Sequence, residues 1–343
     1  MLACAMAAFS VISCKKNNSE ETKLYLNGAV TISEYPIFSH AEDTLTVYVS
    51  GVTHPDGKAL GLIRKFLNKT DTVYRAGVDK LPEKAAVGLR MPDSLASFTI
   101  NIYVYPIDGD VYYSSSASFG ITTVDENLSI PETAYDPYEM EGGYQDPRDL
   151  HEYNVYLSDK NCWLKGNMSY CGTSESPCGT PYYNSSAVAA IFGGFYTYEE
   201  AKKVCPENWH LPSNEEWMEL ANSVMGKGTY SEAKADFDGV AGKLMVDAYF
   251  NGDRMWEFWP GVDIPKEYTE SALKVIPVGY YNAATKETFN GMLDYACFWT
   301  SDAYEADDTQ AYYRYIYKKE NTLKLGNADK KSMAMSVRCV KER

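Results

Sequence analysis

The stretch YTYEEAKKVCPENWHLPSNEEWMEL, Tyr196–Leu220, sets a cysteine, a proline, a tryptophan and a histidine between two helix signals. Thr197 with Glu200, and Ser213 with Glu216, each match the capping-box spacing that opens a helix. The spacing predicts helices over YEEAKKVC and NEEWMELANSV, with Pro206 and Pro212 preventing them from merging. On the second helix Trp217, Leu220, Ala221 and Val224 fall on one face, an apolar stripe that has to be buried. The corner between the helices has two readings. Cys205 could be a nucleophilic thiolate with His210 as its base, or it could be a covalent staple at the edge of a core. A thiolate needs an intracellular or activated setting, so the compartment decides.

The first residues speak to the compartment. MLACAMAAFSVISC is an apolar run ending in Val11, Ile12, Ser13 and Cys14, followed by KKNNSEE. It resembles a bacterial lipoprotein signal peptide, which implies that residues 1–13 are an export signal, with a lipid on Cys14 and a polar tether over 14–22. No apolar run approaches the roughly 18 residues needed to span a bilayer as a helix, so the lipid is the expected membrane contact. The net charge of -15 opposes nucleic-acid binding, which depends on cationic surface. With Cys4 in the signal and Cys14 lipidated, six cysteines remain: Cys162, Cys171, Cys178, Cys205, Cys297 and Cys339. An even set in an exported chain predicts disulfides, with fifteen possible pairings. Zinc is disfavoured because no C-x-x-C occurs and only His151 and His210 accompany these cysteines. The staple reading of the corner is therefore expected.

Residues 23–124 alternate like an all-β domain. TLTVYVSGV (Thr44 to Val52) is β-branched with period two, and Phe98 to Val124 reads as strand, Asp108-Gly109 turn, strand. The last hairpin resembles the closing strands of fibronectin type III domains through Tyr103, Tyr105, Tyr112 and Phe119 to Thr122, which implies an immunoglobulin-like sandwich. Residues 125–150 carry eight acidic residues, three prolines and a Gly-Gly pair, and predict an extended linker. From residue 151 to 343 the composition changes: all six tryptophans lie here, and the two helices are followed by several strand-like runs.

This second region resembles the Fibrobacter succinogenes major paralogous domain family. The central Tyr196–Leu220 motif is flanked by CWLKGNMSY (Cys162 to Tyr170), VAGKLM (Val240 to Met245), VIPVGYYNA (Val275 to Ala283), ACFWTS (Ala296 to Ser301) and SVRCVKE (Ser336 to Glu342), in the family's order. The resemblance implies a C-type-lectin-like α+β domain, in exported proteins of anaerobic bacteria that are often lipoproteins with immunoglobulin-like partners. In lectin-like folds the first helix is tied to the last strand, which here implies a Cys205–Cys339 bridge. Cys297 is then expected to pair with one of Cys162, Cys171 or Cys178 and the other two with each other, and the choice stays open. The expected fold is an N-terminal all-β immunoglobulin-like sandwich followed by a C-terminal α+β lectin-like domain.

Catalytic signatures such as G-x-S-x-G, H-E-x-x-H and a phosphate-binding loop do not occur. Nor do the E-P-N, Q-P-D and W-N-D strings with which C-type lectins hold calcium and sugar. SDAYEADDTQ clusters Asp302, Glu305, Asp307 and Asp308, so calcium is the one cofactor considered, against the plainer expectation of a solvated loop. Trp256, Phe258 and Trp259 in RMWEFWPGVD are the candidate ligand-binding residues, because flat aromatic faces suit sugars and protein partners. The expected protein is a non-catalytic, surface-exposed outer-membrane lipoprotein that binds a glycan or surface protein through loops between Lys243 and Gln310. A pilus or fimbrial tip subunit is the first alternative and a carbohydrate-active enzyme the second.

Overall fold

A computed structural model describes residues 23–129, 143–264, 271–285 and 288–343. The signal segment 1–13, the lipidation site Cys14 and the tether 14–22 lie outside the described residues. The chain is mostly β-sheet, arranged in several sheets, with few helices.

Contacts divide the chain into two units. The first holds 23–33, Val47–Val87 and Thr99–Phe119, and the second Glu34–Thr46, Gly88–Phe98 and Gly120–Arg343. The longer strands of the N-terminal region are β1 (Asn27–Ser33), β2 (Phe38–His40), β3 (Thr44–Thr53), β4 (Gly61–Phe66), β5 (Lys69–Tyr74), β6 (Ala85–Arg90), β7 (Ser97–Tyr105) and β8 (Ser115–Val124). In the first unit β1, β3 and β6 form one sheet in that order, and β8, β7, β4 and β5 another. Period-two sequence is why these are strands: Val47 and Val49, Ala85 and Val87, and Ile102 and Val104 are buried while their neighbours are half-buried or exposed.

In the second unit, β2 runs parallel to the last residues of β8, with Phe38 opposite Thr122. Phe38 stacks on Tyr182 at 6.0 Å, its carbonyl accepts from Ser185 Oγ at 3.1 Å, and His40 Nε2 lies 2.9 Å from the Ala187 carbonyl. This is why contacts group 34–46 with the later chain, a division different from the 23–124, 125–150 and 151–343 partition expected from sequence.

The linker expectation also changes at the two ends that are described; 130–142 lie outside the described residues. At one end, Asp125 N–H donates to Asn251 Oδ1 at 2.9 Å and Ser129 forms a β-bridge with Tyr249. At the other, Tyr144–Gln145 pairs antiparallel with Glu152–Tyr153. Arg148 donates to the fully buried Asp146 carboxylate at 2.6 Å and to the Val204 carbonyl at 2.8 Å. Proline and like charge predicted extension, but Asp146 and Arg148 neutralise each other and dock the segment. Burial pushes the Asp146 carboxyl up, and the hydrogen bonds from Arg148 outweigh it, so the group titrates below its ordinary range. Its contribution to stability is therefore full above the unfolded carboxyl pKa and lost as pH falls through the lower folded value. Denaturation midpoints measured from pH 6 down to 2 should show a shallower acid decline in Asp146→Asn than in the parent.

Both capping boxes form. Helix α1 (Tyr198–Val204) is opened by Thr197 and Glu200, and α2 (Asn214–Met225) by Ser213 and Glu216. Trp217, Leu220 and Ala221 are buried as the stripe predicts, and Val224 packs partly buried at the margin. Around the helices lie β9 (Val155–Leu157), β10 (Asn161–Leu164), β11 (Tyr280–Asn282), β12 (Tyr295–Ala303), β13 (Gln310–Tyr317), β14 (Thr322–Asp329) and β15 (Val340–Glu342). Strands β9, β10 and β15 make one sheet; Phe237–Asp238, β14, β13 and β12 make another in that order.

The second sheet carries different chemistry on its two faces. Ala296, Phe298, Ile316 and Leu323 enter a core with Trp163 and Trp217, where Trp163 meets Trp217 at 4.9 Å and Trp217 meets Phe298 at 5.7 Å. Arg314 is also fully buried on this face. It donates to Asn214 Oδ1 at 3.1 Å, to the Ala235 carbonyl at 2.6 Å and to that of Ala233, tying the start of α2 to the segment before Phe237. Burial draws its pKa down to about 10, still cationic at neutral pH.

Candidate functional site

The corner between α1 and α2 is structural. Cys205, just beyond the end of α1, is bridged to Cys339 with the Cα atoms 5.7 Å apart. His210 exchanges backbone hydrogen bonds with Val340, at 2.8 and 3.0 Å, which fastens the corner to β15. Its ring Nε2 lies 2.7 Å from Glu216 Oε1, the capping carboxylate of α2. Trp209 is almost wholly buried and packs against Tyr144, with the Lys341 ammonium 4.7 Å from its ring centre. Sulfur and imidazole are both committed to holding helices, so no thiolate–base pair is present here.

The other four expected disulfide cysteines are thiols in this structure, and Cys205–Cys339 is the one bridge among the described residues. Cys162 on β10 has Leu157 and Lys341 as its ladder partners, whereas Cys297 on β12 faces Tyr315 in a different sheet. Burial alone pushes the Cys297 thiol up to about 12, so it is neutral and unreactive. Cys171 and Cys178 are half-buried, and burial raises the Cys171 thiol to about 11.

The aromatic trio expected to bind ligand is split by its burial. Trp256 is fully buried in the core and its ring N–H donates to the Val275 carbonyl at 2.7 Å, so its assignment to a ligand surface is corrected. Trp259 packs partly buried on the same core, with the Lys319 ammonium 4.5 Å from its ring centre. Phe258 is 68% exposed and is the one ring of the three that faces water.

The acidic loop is engaged by its own neighbours. Asp302 accepts from Asn214 N–H at 2.6 Å, Glu305 pairs with Lys234 and accepts from Tyr312 at 2.8 Å, and Asp307 accepts from Thr309 and Gln310. Among the described residues no three His, Cys, Asp or Glu side chains converge as a metal site.

The concave feature with a distinct chemistry lies on the other face of the β12–β13–β14 sheet. Alternation puts Tyr313, Tyr315 and Tyr317 on one side of β13, opposite Trp299, Cys297 and Tyr295 of β12. Tyr295 stacks on Tyr317 at 4.8 Å, and Tyr313 lies 5.5 Å from Tyr315. On β14, Gly326 sits opposite Tyr313, where a Cβ would come within 2.6 Å of the phenol ring, so the missing side chain makes room for the ring to lie over the strand. Tyr280, Met333 and Met335 add a further wall to a cavity of about 490 Å³. The Lys324–Glu320 ion pair, 2.6 Å, also lines it. Burial raises the pKa of the Tyr295, Tyr313 and Tyr315 phenols, which keeps all three neutral. Tyr280, Tyr295, Tyr313, Tyr315 and Tyr317 are half-buried, and none of their hydroxyls bonds to a protein group among the described residues. The cavity thus offers aromatic faces and open hydroxyl donors and acceptors together. The i, i+2, i+4 tyrosines in AYYRYIY were the sequence signal for it.

With this architecture in place, the sequence profile of the Fibrobacter succinogenes major domain matches residues 158–341, more than half of the chain. The chain belongs to that family. Among solved structures it is similar to the PKD domain of an M14-like peptidase from Thermoplasmatales archaeon SCGC AB-540-F20, at 12% identity and a TM-score of 0.24, over 29% of this chain and 95% of that one. No curated protein matches the chain.

Proposed function

We propose that this chain is a non-catalytic lipoprotein of the bacterial outer membrane, anchored by lipid on Cys14, that binds a glycan through the tyrosine cavity. Its family domain would be a C-type-lectin-like head and its N-terminal sheets an immunoglobulin-like spacer. The observation that carries the reading is the set of five half-buried tyrosine rings on one cavity with no hydroxyl bonded to a protein group among the described residues. The C–H face of a pyranose packs on such rings while its hydroxyls bond the phenols, and about 490 Å³ is within the range of small-ligand sites. Commitment of Cys205 to a bridge and of His210 to Glu216 supports a binding role over a catalytic one.

The test is a glycan panel probed with the purified chain, with and without chelator. Tyr315→Ala and Tyr313→Ala should each weaken the best ligand about fivefold, at roughly 1 kcal/mol per lost ring contact, with folding retained by circular dichroism. Unchanged affinity in both variants, or no glycan bound by the parent, would remove the reading. Sugar released from a polysaccharide during the assay would favour an enzyme instead.

A further inference from the structure

The segment CGTSESPC, Cys171 to Cys178, folds back on itself in strict antiparallel register. Thr173 and Ser176 exchange both backbone bonds, at 3.0 and 3.2 Å, and Gly172 is bridged to Pro177. The next rung out is Cys171 against Cys178, whose N–H donates to the Cys171 carbonyl at 3.0 Å. Residues directly opposite across an antiparallel ladder point to the same side, with Cα atoms about 5.5 Å apart in a hydrogen-bonded pair and Cβ atoms about 4.5–5.5 Å apart. A disulfide spans Cα separations of about 4.4–6.8 Å, so the backbone already has a bridging geometry. Residues 173–177 are exposed and both cysteines half-exposed, whereas Cys162 and Cys297 are buried. An oxidant can therefore reach this pair and not the other two.

We propose that Cys171 and Cys178 are a second disulfide site, which closes the hairpin leading into the Thr180–Pro181 strand. One thiol loses its proton and attacks the disulfide of a thiol oxidoreductase or of oxidised glutathione, forming a mixed disulfide. The other thiolate displaces the carrier's sulfur. One S–S bond forms and one breaks; the two electrons and two protons leave on the carrier as two thiols. Oxidation in the cell rests on the envelope location proposed above, but the test does not, because the oxidant is supplied.

The folded chain is equilibrated with oxidised glutathione, alkylated without reduction and digested with trypsin. Residues 166–202 lie in one peptide, since no Lys or Arg falls between Lys165 and Lys202. The expected peptide carries no alkyl group and is lighter by two hydrogens than its reduced form. Alkylation or glutathione adducts at both positions, or a link to Cys162 or Cys297, would overturn the proposal. Limited cleavage after Glu175 gives a second readout. On a denaturing gel the two pieces of the oxidised parent should stay joined until reductant is added, and those of Cys178→Ser should separate without it. The Cys205–Cys339 bridge cannot hold them together, because both its cysteines lie in the later piece.

Discussion

Replacing Cys205 with serine should lower the unfolding free energy of the family domain by about 2–5 kcal/mol, one of the two largest effects expected in this chain. The bridge spans a sequence separation of 134, and on the chain-entropy view a loop of that length is worth about 5 kcal/mol in the unfolded state. Relaxation of the native corner offsets little of this, because His210 and Val340 stay bonded through their backbones beside the lost link. At about 2–4 °C per kcal/mol for a domain of this size, the thermal midpoint should fall by roughly 10 °C. Tryptophan fluorescence against urea would measure it. Dithiothreitol should bring the parent close to the variant; a parent insensitive to both changes would mean that the sulfurs contribute nothing to the fold.

Trp256→Ala should cost about 3–5 kcal/mol, for a different reason. The indole is fully buried, so truncation leaves a cavity, and the Val275 carbonyl loses the indole N–H as a donor inside the core. Two residues along, Phe258→Ala should change the unfolding free energy by no more than about 0.5 kcal/mol, since that ring is in water. The pair separates core from surface within one aromatic run. Equal, small effects at both positions would place Trp256 outside the core.

Much of the α1–α2 corner was legible because its determinants are local. A capping box needs four residues, and an apolar stripe needs one helix. The Cys205–Cys339 bridge was legible only by resemblance, since nothing in spacing selects one of fifteen pairings. Trp256, Phe258 and Trp259 read alike in sequence, because burial is set by chain that arrives from elsewhere, here the Val275 segment. The tyrosine cavity was missed from sequence. Alternation fixes Tyr313, Tyr315 and Tyr317 to one face, but its closing wall comes from Tyr280, Met333 and Met335, on segments no periodicity connects to it. The docked ends of the acidic segment were hidden for the same reason: composition reports repulsion on average and misses one well-placed arginine.

Strand β15 supplies the outer edge of the β9–β10 sheet, with Val340 opposite Trp163 and Glu342 opposite Asn161. The earliest and latest parts of the family domain are thus woven into one ladder. During synthesis, then, β10 waits with an unpaired edge until nearly the whole domain has emerged, a long interval in which it is open to pairing with a neighbouring chain. Premature termination a few residues short would not trim this domain at its margin; it would remove the seam that closes it.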